Sequence, residues 1–93
     1  MADNTSAMRT HFDLELDLRQ RNAHDCLERA MSALAELHDG QVLRVLTTDP
    51  ESLPAFKALP RQTGHALIHA RRTREGEFVF YIEKAVVKGS DEL

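Results

Sequence analysis

Tryptophan is absent from this 93-residue sequence, which has one cysteine, three prolines, four glycines and 5% aromatic residues. A single thiol, Cys26, cannot close an intrachain disulfide, so packing alone must hold the fold. No apolar h-region lies between Met1 and His11, and with an unpaired thiol this leads us to expect a reducing cytoplasm. The longest uninterrupted apolar stretch, Phe78 to Ile82, is five residues, against the roughly 18 to 20 that a membrane span requires. No glycine-rich loop is present to cradle phosphate and no serine sits in a nucleophile elbow, so kinase and hydrolase chemistry lack support. Positive charge is not in excess either. Twelve basic and fifteen acidic residues leave a net charge of -3, which disfavours broad attraction to nucleic acid or to an anionic membrane.

What is present suits one hydrophobic core, because a chain of this length cannot build two. Residues 1–10 lack apolar periodicity and are expected to be a flexible segment, residues 11–87 a single domain, and residues 88–93 a flexible tail. The closing Ser90-Asp91-Glu92-Leu93 only faintly resembles a retention tag and is read as incidental. From Phe12 the pattern alternates, with Phe12, Leu14, Leu16 and Leu18 on one side and Asp13, Glu15 and Asp17 on the other, the signature of a half-buried strand. Leu27, Ala30, Met31, Leu34 and Leu37 then recur at helical spacing. Asn22 or Asp25 can cap that helix, Glu28 completes a capping box with Asp25, and Gly40 suits a left-handed turn beyond its end.

Val42 to Thr47 reads as a second strand, and Asp49-Pro50 as the approach to a second helix. Because an interior proline loses a backbone hydrogen bond, that helix is expected to start at Pro54 and end near Pro60. A third strand, roughly His65 to Thr73, and a fourth, Phe78 to Lys84, flank a tight turn at Arg74-Glu75-Gly76-Glu77. Strands joined through helices favour parallel pairing, whereas the last two must run antiparallel. The charged outer side of the first strand places both helices on the opposite side. The expected fold is therefore an α/β two-layer sandwich of βαβαββ order, a four-stranded mixed sheet with two helices on one face.

Four segments, Leu16-Asp17-Leu18-Arg19, Ala33-Leu34-Ala35-Glu36-Leu37, Thr47-Thr48-Asp49-Pro50 and Arg61-Gln62-Thr63-Gly64-His65, follow one another at separations that resemble the TusA/SirA-like family of small sulfur-carrier proteins. The resemblance runs from about Leu14 to Lys84. It implies a βαβαββ sandwich that accepts sulfur from a cysteine desulfurase and passes it to another protein. In that family the working thiol belongs to a Cys-Pro-x-Pro motif between the first strand and the first helix. The corresponding residues here are Ala23-His24-Asp25-Cys26, so alanine occupies the sulfur-accepting position and both prolines are missing.

Two readings follow. In the first, the protein is a sulfur-relay family member without the usual acceptor, a module that binds a cysteine desulfurase or a downstream sulfur acceptor through Arg19, His24, Asp49, Arg61 and His65. In the second, Cys26 is a displaced acceptor, one turn farther along the helix and still within reach of its dipole. Asp25 and Glu28 oppose thiolate formation there, and the position on the helical wheel suits a packing cysteine. Whether the protein is an enzyme stays open. Asp49 can instead cap the second helix, while Arg61 and His65 border its end.

His24 and Cys26 match no common zinc spacing, His65 and His69 share one face of the third strand that reads as a polar boundary and not a ligand pair, and we expect no metal and no cofactor. Arg71, Arg72 and Arg74 beside the hairpin raise RNA binding as a lesser alternative, with no interleaved aromatic residues to stack on bases. Asp13, Glu15 and Asp17 read as a solvated acidic stripe. Val42, Leu46, Val79 and Tyr81 point away from the core and are expected to leave apolar area on the open sheet face, where a second copy can form a weak homodimer.

Overall fold

The computed structural model describes residues 11–86, and the flexible ends expected at 1–10 and 88–93 lie outside them. Strand β1 (Leu14–Asp17) leads into helix α1 (Ala23–Glu36), strand β2 (Val42–Thr47), helix α2 (Ser52–Thr63) and strands β3 (Ala66–Arg72) and β4 (Phe78–Glu83). The sheet order is β1-β2-β4-β3. β1 and β2 run parallel, with Leu14 beside Leu43 and Leu16 beside Val45, while β4 is antiparallel to both β2 and β3. The architecture is the expected mixed-sheet α/β sandwich.

Register follows from alternation, because one face of each strand must bury its side chains. Leu43, Val45, Phe78, Phe80 and Ile82 face the helices and join Cys26, Ala30, Leu34, Phe56 and Leu59 in one core. The Phe56 and Phe80 rings stack at 4.5 Å and 7°, fastening α2 to the sheet. Each ring contributes about 2–3 kcal/mol by leaving water.

The helix ends show why the segments stop where they do. Asn22 caps α1, its side-chain oxygen accepting from the Asp25 amide at 2.8 Å. At the other end Leu37 turns extended, and Lys84 Nζ donates to the Leu34 and Leu37 carbonyls at 2.6 and 2.9 Å. A cation there meets the negative end of the helix dipole. Gly40, at φ 82, takes the left-handed position in the following turn.

Three sequence expectations need correction. α2 does not run from Pro54 to Pro60 but from Ser52 to Thr63. Pro54 lies in the first turn, where its missing N–H has no partner in the helix to lose. Pro60 is interior, yet buried Phe56 and Leu59 hold the helix on the core, Thr63 Oγ1 donates to the Leu59 carbonyl, and the Gly64 N–H closes on the Pro60 carbonyl.

Phe12 does not extend the inward row of β1. A bend at Asp13 precedes the strand, and the Phe12 ring meets Tyr81 on the outer face at 6.3 Å. Nor is that outer face openly apolar. Val42, Val79 and Tyr81 form a second buried cluster. Arg44 covers it, its guanidinium 5.4 Å from the Phe12 ring centre and 5.8 Å from that of Tyr81. Arg44 Nε also donates to Tyr81 Oη.

Candidate functional site

The C-terminal ends of parallel strands β1 and β2 and the N-terminal ends of both helices lie at one pole of the sandwich. Brought together there are the β1–α1 loop, the Thr48-Asp49-Pro50 loop and the β3–β4 hairpin. The junction is tight. The Gln20 amide donates to Thr48 Oγ1 at 2.8 Å, and the Ala23 amide donates to Asp49 Oδ2 at 2.7 Å. Gln20 takes a left-handed φ of 73, a conformation that costs a side-chain-bearing residue about 1–2 kcal/mol.

The Ala23 amide is the first of α1 and belongs to the set that has no partner inside the helix. In a site built to hold an anionic sulfur, such donors and the positive helix end would stabilise the charge. Here the Asp49 carboxylate already takes the amide. Its other oxygen accepts from the Glu51 amide at 3.0 Å, and its carbonyl accepts from Ser52 Oγ at 2.7 Å. Ser52 Oγ in turn lies 2.6 Å from buried Thr47 Oγ1. Asp49 therefore joins α1 to the start of α2, with a hydroxyl chain fixing it from below.

Cys26 lies beneath this junction and is fully buried. Its Sγ stands 3.5 Å from the Leu18 carbonyl and 3.6 Å from that of Arg21, both reachable by the S–H as weak donor. Carbonyl oxygens would repel a thiolate in the same place. Burial pushes the thiol pKa up, and the charges of Asp25 and Asp49 add to that shift. These are the surroundings of an inert structural thiol, opposite in sign to those that activate cysteine.

Arg19 and Arg21 flank the mouth of α1. Arg19 grips Asp17 through Nε and Nη2 at 2.7 and 2.6 Å and reaches Glu77 of the hairpin at 3.2 Å. This grip holds the Asp17 pKa down to about 2. Arg21 and Arg29 both pair with Asp25 at 3.0 Å. A shallow polar pocket of about 410 Å³ lies between Arg19, Arg21, Thr48 and Glu77. The rest of the acidic stripe is paired within the chain, Asp13 accepting from the Val42 amide at 2.8 Å and Glu15 bonding Arg44.

The five residues expected to contact partners fall into two groups. Arg19, His24 and Asp49 gather at the mouth of α1, with His24 exposed and 3.3 Å from Glu28. Arg61 and His65 are at the opposite pole, since α2 carries the chain about 18 Å along the sheet. His65 Nδ1 accepts from the Ala85 amide at 3.0 Å, and burial with the neighbouring Lys84 charge lowers its pKa. Gln20, Thr48 and Glu77 belong to the mouth but were not candidates from sequence, because only long-range contacts bring them there. The parallel course expected of strands joined through a helix does signal that a residue following α2 leaves the β2–α2 pole.

Residues 14–84 match the family model described as sulfurtransferase TusA. The sulfur carrier protein TusA of Allochromatium vinosum is 39% identical over 74 residues, covering 80% of this chain and 96% of the relative. Two Neisseria meningitidis proteins, from serogroups A and B and provisionally named as sulfur carriers, are each 42% identical over 55 residues, covering 59% of this chain and 73% of the relative.

Proposed function

We propose that this chain, which belongs to the TusA sulfurtransferase family, serves sulfur relay as a noncovalent docking module and not as a carrier of the sulfur atom. Its partner is a protein that hands on or receives sulfur, a cysteine desulfurase or a downstream acceptor, in a reducing cytoplasm. Arg19, His24 and Asp49 at the mouth of α1 supply the contacts and the shape. The observation that supports this reading is alanine at the mouth of α1, where the family presents its cysteine, with Cys26 fully buried one turn away. The methyl group of Ala23 has no lone pair with which to attack a persulfide. The thiol one turn away faces carbonyls inside the core.

Intact-mass measurement tests this after incubation with a cysteine desulfurase and cysteine. The wild-type protein is expected to keep its mass. The Ala23→Cys variant places a thiol at the half-exposed helix mouth and is expected to gain one sulfur atom, because the docking face is retained. A sulfur adduct on the wild type that Cys26→Ser abolishes would overturn the proposal in favour of a carrier with a displaced thiol.

A further inference from the structure

A second surface lies between α2 and edge strand β3, away from the Ala23 amide. Pro50, Leu53, Ala70 and Phe78 give it an apolar floor, and the cavity measures about 440 Å³. Lys57, Arg71 and Arg72 border it. All three are exposed, and none forms an ion pair with a described residue. Arg19, Arg21, Arg29 and Arg44, by contrast, are each paired with a carboxylate. In a chain of net charge -3, this is a local concentration of uncompensated positive charge above an apolar cleft.

We infer that this cleft binds an extended acidic segment of a partner protein, with one apolar side chain in the cavity and flanking carboxylates on Lys57 of α2 and Arg72 on the α2-facing side of β3, Arg71 pairing with Val79 on the other face. The backbone of β3 supports a peptide occupant. β3 ends the sheet order, so among the described residues one of its edges has no strand partner and offers amides and carbonyls to an added strand. Charge complementarity selects acidic residues, while the cavity selects an aliphatic or aromatic anchor. RNA fits less well. Phe78, the aromatic ring of the cleft, is buried to 6% exposure with the Arg72 guanidinium 5.9 Å from its centre, so it presents no free stacking platform. This surface adjoins the α1 mouth at Pro50 but includes none of Arg19, His24 and Asp49, and its occupancy does not depend on the sulfur-relay reading.

Fluorescence anisotropy with the full chain tests the inference. The probe is a fluorescein-labelled peptide of alternating glutamate and leucine, compared with its glutamine counterpart and with a labelled oligouridine of equal charge. Saturable binding of the glutamate peptide is expected. The glutamine peptide should bind at least about tenfold more weakly, as should the glutamate peptide to a Lys57→Glu/Arg72→Glu variant. Both substituted side chains are exposed, and circular dichroism checks that the variant is folded. No saturable binding, equal binding of the two peptides, no effect of charge reversal, or tighter binding of oligouridine would each overturn it. If the cations serve only to keep strand edges apart, charge reversal leaves peptide binding unchanged, which is one of those overturning results.

Discussion

Ala23 and Cys26 are one helical turn apart and face different media. Ala23 borders solvent with its amide held by Asp49, whereas Cys26 packs against Leu18 and Ala30 with its S–H toward main-chain oxygens. For iodoacetamide to reach that sulfur, the junction of β1 and α1 must open, and the raised pKa leaves little thiolate when it does. Alkylation of the native protein near neutral pH is therefore expected to be at least about a hundredfold slower than in denaturant. Mass spectrometry over time measures both rates, and similar rates would mean that the thiol is not enclosed. The missing family cysteine is visible in the sequence. The burial of Cys26 was legible only in part, through its place beside the apolar stripe, because the carbonyls around Sγ come from a loop whose path the local pattern does not determine.

At the scale of elements, helix and strand identities were legible because periodicity is local. Leu43, Val45, Phe80 and Ile82 fall on the expected face, and Asn22 is one of the two caps considered. Phe12 departs from its alternating row because Asp13 bonds the Val42 amide across the sheet. The union of α1 and α2 was likewise hidden, since Ala23 and Asp49 are distant in sequence. Gly64 illustrates a constraint that is local and can be tested. It ends α2 at φ 85, and open space surrounds the position that a Cβ would occupy. Gly64→Ala should therefore cost about 1–2 kcal/mol through conformation alone. Urea unfolding measures the loss, which should appear as a lower midpoint with an unchanged slope.

For the molecule as a whole, titration couples distant regions to one unfolding equilibrium. His65 has a folded pKa below its ordinary 6.5, so the unfolded chain binds a proton more readily. Its contribution to stability is present above about 6.5 and declines as the pH falls below that value. Protonation at Nδ1 would also remove the acceptor used by the Ala85 amide. Asp17, lowered from 3.8 to about 2 by Arg19, acts in a separate window. Its contribution is present above 3.8 and declines as the pH falls toward 2. Urea midpoints against pH should thus decline in two steps, and His65→Asn, which keeps a side-chain acceptor, should remove the upper one. A curve unchanged by this substitution would show that His65 does not set the upper step.

The strand order has a further consequence during synthesis. Of the described strands β4 is the last to leave the ribosome, yet it occupies an interior place, with β2 on one side and β3 on the other. Until Phe78–Glu83 has emerged, the nascent chain can align β1 with β2 but has no ladder linking that pair to β3. Completion of the sheet, and with it the seating of Phe80 against Phe56, must therefore await the emergence of β4.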